Sequence, residues 1–230
     1  MIYPNCVPAV FLSRPNRFVA QVSLDGAVHT VHVKNTGRCR ELLLPGAPVF
    51  LTKSDNPKRK TAYDLIAVKK GARLINMDAQ APNHVFYEWA AAGGLGLDLT
   101  KLAPETRYED SRFDFYWEAG PRRGFVEVKG VTLEENGRTF FPDAPTQRGV
   151  KHLRGLMKAQ AEGYEAAVCF VIQMQDVLSF APNDRTHPEF GAVLRQAAQA
   201  GVQVLAMDCQ VTPDSLQIRQ PVPIDLTSLV

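Results

Sequence analysis

Three residues in one short stretch of the chain have side chains suited to phosphodiester chemistry: Asp114, Glu127 and Lys129. The first lies in the segment SRFDFYW, and the other two belong to the triplet Glu-Val-Lys in FVEVKGV. Two neighbouring carboxylates can bind a hard cation such as Mg²⁺, which keeps several waters and contacts substrate phosphate. A lysine on the same face can orient the attacking water or offset the charge that develops during hydrolysis. These residue types predict a catalytic site for a divalent metal and a phosphodiester.

The segment around Asp114 has the two-residue alternation of a β-strand. Side chains on a strand point to opposite faces in turn, which predicts three aromatic residues on one face: Phe113, Phe115 and Trp117. Asp114 then lies on the opposite face. In the next segment Glu127 and Lys129 share a face for the same reason.

Gly120 and Pro121 predict a turn between these two strands. A hairpin symmetric about this pair places Asp114 directly opposite Glu127, with Cβ atoms about 4.5–5.5 Å apart. Two carboxylates at that separation repel each other unless a cation or a proton lies between them. A charged, solvated hairpin face would show the same pattern, so these residues alone leave both interpretations open.

Two flanking helices supply further candidate residues. The segment before the hairpin has an Ala-rich middle and a Gly-Gly end, which predict a helix that carries Glu88 as an additional acidic ligand. The helix after the hairpin begins near Arg148, Lys151 and His152. A helix N-terminus offers free N–H groups and partial positive charge to phosphate. These three residues are therefore predicted to hold the scissile phosphate, although each taken alone could be a solvated surface residue.

A second group of candidates is basic and lies in the N-terminal part of the chain. Lys58, Arg59 and Lys60 occupy a loop between predicted strands, and Arg17 lies at the start of another strand. Such charge combined with stacking aromatic residues binds nucleic acid strands, so contacts with DNA phosphates are predicted. Arg38, in the turn-forming sequence Asn-Thr-Gly-Arg, is a further phosphate candidate. A solubilising loop is the alternative interpretation of the Lys-Arg-Lys triplet.

Residues 1–80 have the pattern of an all-β domain. Asp25-Gly26 separates two strand-like runs, which is typical of a hairpin. Further runs at Val49–Lys53 and Tyr63–Lys69 bring the total to four or five short strands. Such a set predicts a small closed barrel of the OB-fold type.

Residues 81–230 alternate strands and helices. Beyond the hairpin, helices are predicted at about 146–162 and 189–201, and a nearly continuous apolar strand at Ala166–Gln173. The predicted fold class is α/β (α+β): an OB-fold-like β-barrel domain at 1–80, followed by an α/β domain at 81–230.

The composition is that of an ordinary globular protein of 230 residues, with 45% hydrophobic and 22% charged residues. The longest apolar run is too short to cross a bilayer, and Pro4 and Pro8 interrupt an N-terminus that lacks a basic region. The four cysteines are widely spaced with no C-x-x-C pair, as in reduced cytoplasmic proteins. We therefore expect a cytoplasmic protein without a membrane partner. Its net charge of +2 requires any DNA-binding surface to be a local cluster.

The order of an acid on a helix, Asp on a strand, Glu-x-Lys on the next strand and then a polar helix is the layout of the PD-(D/E)XK nuclease core. Longer segments, including NPKRK and FPDAPTQRGVKHL, resemble the sugar fermentation stimulation protein A family from about Arg17 to Met207. The resemblance implies an OB-like domain, a PD-(D/E)XK-like domain, DNA binding without sequence preference and a regulatory link to sugar (maltose) catabolism. It also implies a metal centre at Asp114, Glu127 and Lys129, with Glu88 as the helix acid.

Two functional hypotheses follow. In the first, the protein binds single- or double-stranded DNA, and its nuclease-like domain is retained as a docking surface. In the alternative, it is a Mg²⁺-dependent nuclease that hydrolyses DNA or RNA, with the ion held by Asp114, Glu127 and Glu88. The sequence leaves the oligomeric state open.

Overall fold

The N-terminal strands form a closed five-stranded barrel. The computed structural model describes residues 1–35, 37 and 39–227. The barrel strands are β1 (Cys6–Asn16), β2 (Val19–Leu24), β3 (Ala27–Val33), β4 (Pro48–Lys53) and β5 (Tyr63–Lys70), and β6 (Arg73–Asn76) extends the sheet beside β5. Antiparallel pairing gives the order β3-β2-β1-β4-β5, and a short parallel pairing of β3 with β5 closes the ring. The predicted OB-type barrel is confirmed.

Alternating burial explains why these segments form strands. Val22, Val31 and Leu65 are wholly buried and contribute to the apolar interior. The predicted turn between β2 and β3 is present, and Asp25 and Gly26 have φ values of 52° and 80°. Such left-handed values are what a tight two-residue hairpin turn requires.

The C-terminal part is built around a six-stranded mixed sheet. Its strands are β7 (Lys101–Tyr108), β8 (Ser111–Ala119), β9 (Arg122–Val131), β12 (Glu165–Ile172), β14 (Gln203–Thr212) and β15 (Ser215–Pro221). They lie in the order β15-β14-β12-β9-β8-β7, with β12 parallel to both of its neighbours. A smaller sheet contains β10 (Leu133–Glu135), β11 (Arg138–Phe141) and β13 (Ser179–Pro182).

Helices cover both faces of the large sheet. They are α1 (Ala81–Ala91), α2 (Gln147–Ala161) and α3 (Pro188–Gln199), close to the predicted bounds. On one face Phe86 of α1 packs against Phe115 of β8, and on the other Phe190 of α3 packs against Phe170 of β12. The central strand β12 is buried on both faces, as its apolar run predicts. Within the described part of the chain, no helix combines the length and the apolar character needed to span a membrane.

A buried polar network joins the barrel to the large sheet. The side-chain amide of Gln173, just after β12, donates to Oδ1 of Asn76 at 2.9 Å and to the carbonyl oxygen of Asp78 at 3.0 Å. Asn76 in turn donates to the hydroxyl of Tyr3 at 3.0 Å. All four residues are almost wholly buried. The end of the barrel is therefore fixed to the end of the central strand.

Candidate active site

The hairpin of β8 and β9 has the predicted register. Phe115 pairs with Val126, so one further step along the two strands brings Asp114 beside Glu127. The pairing described between these strands ends at Phe115 and Val126. Asp114 therefore lies where the two strands begin to separate.

The aromatic residues of β8 do not all lie on one face of the sheet. The ring of Phe115 packs 5.0 Å from that of Phe86 on α1. Phe113 packs on the other side of the sheet, with its ring 6.3 Å from that of His152 on α2. The prediction of a single aromatic face is therefore wrong for Phe113. The pairing of β8 with β9 ends at Phe115, whereas β7 stays paired with β8 on both sides of Asp114 and has Glu105 opposite it at a left-handed φ of 50°.

Asp114 is held in place by two hydrogen bonds. Its Oδ1 accepts from the side-chain amide of Asn83 at 2.9 Å, and its Oδ2 accepts from the backbone N–H of Val128 at 2.8 Å. Burial and the charge of Glu127 raise the pKa of Asp114 above its ordinary value, although these donors and Lys129 act in the opposite direction. A bound cation would relieve this repulsion. The surroundings of Asp114 thus favour a metal ion or a proton.

Glu127 is 2% exposed, and its two carboxylate oxygens have different surroundings. Oε1 accepts hydrogen bonds from Nζ of Lys129 and Nδ1 of His152. Burial alone would raise the pKa of Glu127, but the His152 and Lys129 contacts outweigh burial and hold the pKa below its ordinary value. Oε2 is buried without a hydrogen-bond partner among the described residues. Because a buried acceptor without a donor is costly, Oε2 is well suited to bind a cation.

His152 supports Glu127 from α2. Nε of Arg148 donates to Nε2 of the ring at 3.4 Å, so the proton of a neutral ring lies on Nδ1 and is donated to Glu127. His152 is buried, whereas Arg148 is exposed. The sequence predicts that both contact phosphate, whereas in the structure His152 positions the carboxylate and Arg148 positions the imidazole.

Lys151 is paired with the loop that precedes β8. Its Nζ lies 3.0 Å from the carbonyl oxygen and 3.1 Å from the carboxylate of Asp110, and both side chains are largely exposed. The N-terminus of α2 is capped by Thr146, whose hydroxyl accepts from the N–H of Gly149 at 3.0 Å. A contact between Lys151 and phosphate would require the pair with Asp110 to open.

Glu88 lies away from the carboxylate pair. It is 54% exposed, and its carboxylate binds the amino group of Met1 at 2.6 Å. Asn83, one and a half turns earlier on α1, is the helix residue that contacts Asp114. Five residues rotate the side chain by about 500°, so Glu88 and Asn83 point to different sides of the helix. The structure thus places Asn83, and not the predicted Glu88, beside Asp114, and the Asn in the first turn of the predicted helix is the sequence signal that indicates it.

The basic residues of the barrel divide into two groups. Lys58 and Lys60 are exposed, whereas the guanidinium of Arg59 binds both carboxylate oxygens of Asp64, at 2.9 and 2.5 Å. Burial would raise the pKa of Asp64, but Arg59 and His32 outweigh it and hold that pKa below its ordinary value. Arg59 therefore anchors the loop and is not presented to a ligand.

Two further barrel residues, Arg17 and Arg38, are predicted to bind phosphate, and the structure describes only Arg17. Arg17 is exposed, and its guanidinium stacks over the ring of Phe18 with 4.9 Å between the guanidinium carbon and the ring centroid. Phe18 is itself exposed. Arg38 lies outside the described residues. The described part of the barrel thus presents Arg17, Phe18, Lys58 and Lys60 at its surface.

The carboxylate oxygens that could bind a metal beside Asp114 suit a hard cation that keeps much of its bound water. The described residues contain no group of three or more His, Cys, Asp and Glu side chains placed to hold a metal. Two carboxylates are present, those of Asp114 and Glu127, and Oε2 of Glu127 has no hydrogen-bond partner among the described residues. Mg²⁺ is typically bound by one or two carboxylates together with waters and substrate phosphate. The pair of Asp114 and Glu127 fits such an ion, and Glu88 is not needed.

Two family models match the chain. The model of the SfsA N-terminal OB domain matches residues 12–77, and that of the sugar fermentation stimulation protein RE domain matches residues 80–215. A sugar fermentation stimulation protein homolog of Desulfitobacterium hafniense (strain Y51) is 58% identical over 94% of this chain and 95% of its own length. The homolog of Clostridium beijerinckii is 54% identical over 98% of this chain and 100% of its own.

A solved structure resembles the whole chain. SfsA of Pyrococcus furiosus, in complex with Ca²⁺, superposes with a TM-score of 0.88 at 26% identity, over 98% of each chain. Its similarity extends over both the barrel and the large sheet.

Proposed function

Because the chain belongs to the sugar fermentation stimulation protein family, we propose that it binds nucleic acid without sequence preference and hydrolyses phosphodiesters with a divalent cation. One observation carries the second half of the proposal: the buried, unpartnered Oε2 of Glu127 beside Asp114. The relative from Pyrococcus furiosus is described in complex with Ca²⁺, which supports a cation in this family.

The side chains around the two carboxylates have distinct roles in this proposal. When bound, Mg²⁺ supplies Lewis acidity that activates a water and offsets phosphoryl charge. Asn83 and the N–H of Val128 orient Asp114, and His152 orients Glu127. Lys129, whose side chain is 15% exposed, is the cation of the protein that lies closest to Glu127 and can turn its ammonium toward a phosphate oxygen.

The barrel supplies the binding surface for the nucleic acid backbone. Lys58, Lys60 and Arg17 are exposed cations, and Phe18 gives an aromatic surface beside Arg17. This combination of charge and stacking is what OB-fold proteins use on single strands without reading sequence. Each phosphate that these residues neutralise would steepen the fall of log K with log salt by about 0.7–0.9.

A second candidate function is nucleic acid binding without hydrolysis, with a regulatory role in sugar (maltose) catabolism. The observation that favours it is the pairing of Glu127 with both Lys129 and His152, which offsets the buried charge without any metal. In that case the acidic pair is structural, and the large sheet serves as a docking surface.

The decisive experiment is a cleavage assay on supercoiled plasmid, single-stranded DNA and RNA with Mg²⁺, Mn²⁺ or EDTA. Asp114→Ala is the test variant, and Asp98→Ala, at an exposed acid of the same domain, is the matched control. We expect metal-dependent cleavage by the wild type and by Asp98→Ala, but not by Asp114→Ala. Binding without cleavage under every condition would select the second candidate. Cleavage that persists in Asp114→Ala would remove this site from the proposal.

A further inference from the structure

An open cavity of about 650 Å³ lies beside Asp114 on the α1 side of the sheet. It is bounded by Gln80 just before α1, by Asn83, His84 and Tyr87 of α1, by Glu105 of β7 and by Asp114 itself. Asn83 connects the cavity to the carboxylate, because it lines the cavity and also donates a hydrogen bond to Asp114. Whatever enters this space lies directly beside the candidate metal centre.

The most distinctive side chain in the cavity is Tyr87. Its neighbour Phe86 is wholly buried in the core beneath α1, whereas Tyr87 is 44% exposed. The ring of Tyr87 lies 6.2 Å from that of Phe115, at an interplanar angle of 33°. Phe115 is buried and supports the ring from below. Tyr87 therefore offers a supported aromatic surface to a planar ligand.

The charges around the cavity restrict which part of a nucleic acid can enter it. Glu105 lies across from Asp114 in the pairing of β7 with β8, between the pairs formed by their neighbours. The backbone of Glu105 has φ of 50°, and its carboxylate is largely exposed, 3.5 Å from Arg112. The carboxylate of Glu105 disfavours a phosphate inside the cavity, so the phosphate is expected at the candidate metal centre beside it. An uncharged base meets no such repulsion, and the amide and imidazole groups of Gln80, Asn83 and His84 can pair with its polar edge.

We propose that this cavity receives an unpaired nucleobase adjacent to the scissile phosphate, stacked on Tyr87. The inference rests on the proposed binding of nucleic acid at Asp114, and it names the substrate class: single-stranded or locally unpaired DNA or RNA. In a duplex the same base is held by its partner and must leave the stack first, which costs free energy. Duplex nucleic acid should therefore be bound without use of Tyr87 and be processed more slowly.

The test uses an oligonucleotide with a single 2-aminopurine, a base whose fluorescence falls when it stacks on an aromatic ring. Binding is measured with EDTA and with Ca²⁺, and cleavage with Mg²⁺ or Mn²⁺, on the single strand and on its duplex. The variants are Tyr87→Ala, Tyr87→Leu and Tyr87→Phe, with Leu178→Ala as a control at an exposed apolar residue elsewhere. The melting temperature of each variant reports its folding.

We expect Tyr87→Ala and Tyr87→Leu to bind the single strand about tenfold more weakly, the loss expected for one base–aromatic stack. Both should lose the fluorescence quench, whereas Tyr87→Phe and Leu178→Ala should keep the quench and stay within about twofold of wild-type affinity. Duplex binding should change by less than about twofold in every variant. An undiminished quench in Tyr87→Ala, or an equal loss in Tyr87→Phe, overturns the inference.

The outcome separates this inference from the proposed function. Suppose that neither the wild type nor any variant cleaves, and that only Tyr87→Ala and Tyr87→Leu lose the fluorescence quench. The base site is then supported and the proposed hydrolysis is contradicted. If cleavage is metal-dependent but Tyr87→Ala matches the wild type on single strands, hydrolysis stands and the base site does not. A wild type that binds no single strand overturns both the base site and the proposed nucleic acid binding.

Discussion

Glu127 combines two properties that rarely occur together: deep burial and a pKa held below the ordinary value. The combination depends on Lys129 and His152, which both donate to Oε1. Since a buried carboxylate without donors would take up a proton instead, the ionised state of Glu127 is a product of these two neighbours. The charge of the proposed metal ligand is thus maintained by residues that need not touch the metal.

We expect Lys129→Met to lower the free energy of unfolding by about 3 kcal/mol at pH 7, because it leaves a buried charge with one donor fewer. The double variant Lys129→Met/Glu127→Gln should recover much of this loss, since the charge is removed as well. Urea denaturation measures both. The pKa of Glu127 is lowered in the folded protein, so its contribution is present above the unfolded value of about 4.3 and is lost as the pH falls below it. The deficit of Lys129→Met should therefore shrink in acid, and a pH-independent deficit would contradict this account.

Asn83 controls the acidity of the other carboxylate. Its amide donates to Asp114 and lowers a pKa that burial and Glu127 have raised. In Asn83→Ala the pKa of Asp114 should rise further, so that a higher pH is needed to ionise it. We expect the acid limb of the metal-dependent rate to move to higher pH, measured as a full pH–rate profile with Mn²⁺. A reduced rate with an unshifted limb would show that Asn83 acts only on structure.

At the level of single residues, the sequence was sufficient to predict that Asp114, Glu127 and Lys129 lie together, because hairpin symmetry and strand alternation bring them together. The sequence was insufficient to decide whether Glu88 or Asn83 is the residue of α1 that lies beside Asp114. Both are polar residues on one helix, and the choice between them depends on the rotation of that helix against the sheet. That rotation is set by apolar contacts, such as the packing of Phe86, which a local pattern does not specify.

At the scale of elements, alternation and turn residues predicted most of the strands and all three helices. The short strands β6, β10, β11 and β13 were not predicted, and neither were the longer β1 and β7. Both of the longer strands contain proline, which normally argues against a strand. The structure shows how each is tolerated. Pro8 lies in a part of β1 whose described pairing is with β4 alone, and Pro104 lies in β7 at the edge of the large sheet. Proline is accepted where a strand has a side without a partner.

In the loop between β4 and β5, the exposed Lys58 and Lys60 flank Arg59, which is anchored on Asp64, and this gives a prediction. Lys58→Met and Lys60→Met should each reduce the slope of log K against log salt for DNA by up to about 0.9. Arg59→Met should leave DNA affinity nearly unchanged but lower the free energy of unfolding by about 2 kcal/mol, because Asp64 loses two hydrogen bonds. Salt titrations and urea denaturation of the three variants distinguish the two roles. A salt slope that falls in Arg59→Met would place that residue on the nucleic acid.

At the scale of the whole molecule, one apolar core cluster includes residues of the barrel, such as Val22, and residues of the α/β part, such as Phe170. The polar contacts of Gln173 lie at the same junction. The two halves were predicted as separate domains along the chain, and a linear pattern could not indicate how closely they pack. The structure joins the two halves through buried apolar side chains and through buried polar side chains.

This continuity predicts a single unfolding transition. Both tryptophans, Trp89 and Trp117, lie in the C-terminal part, so their fluorescence reports on that part alone. Far-UV circular dichroism also reports on the strands of the barrel. We expect the two signals to give the same urea midpoint, and Gln173→Leu to lower both midpoints together. Separate midpoints in the wild type would show that the halves unfold independently.

The buried contacts of Gln173 have a further consequence, which concerns the length of the products of the proposed hydrolysis. They fix the barrel, and with it Lys58 and Lys60, at a constant separation from Asp114. A strand whose end is held on the barrel would then be cut a constant number of nucleotides from that end, whatever its total length. Product sizes from end-labelled strands of increasing length should therefore coincide, because the distance between the barrel and Asp114 would set the length of the product.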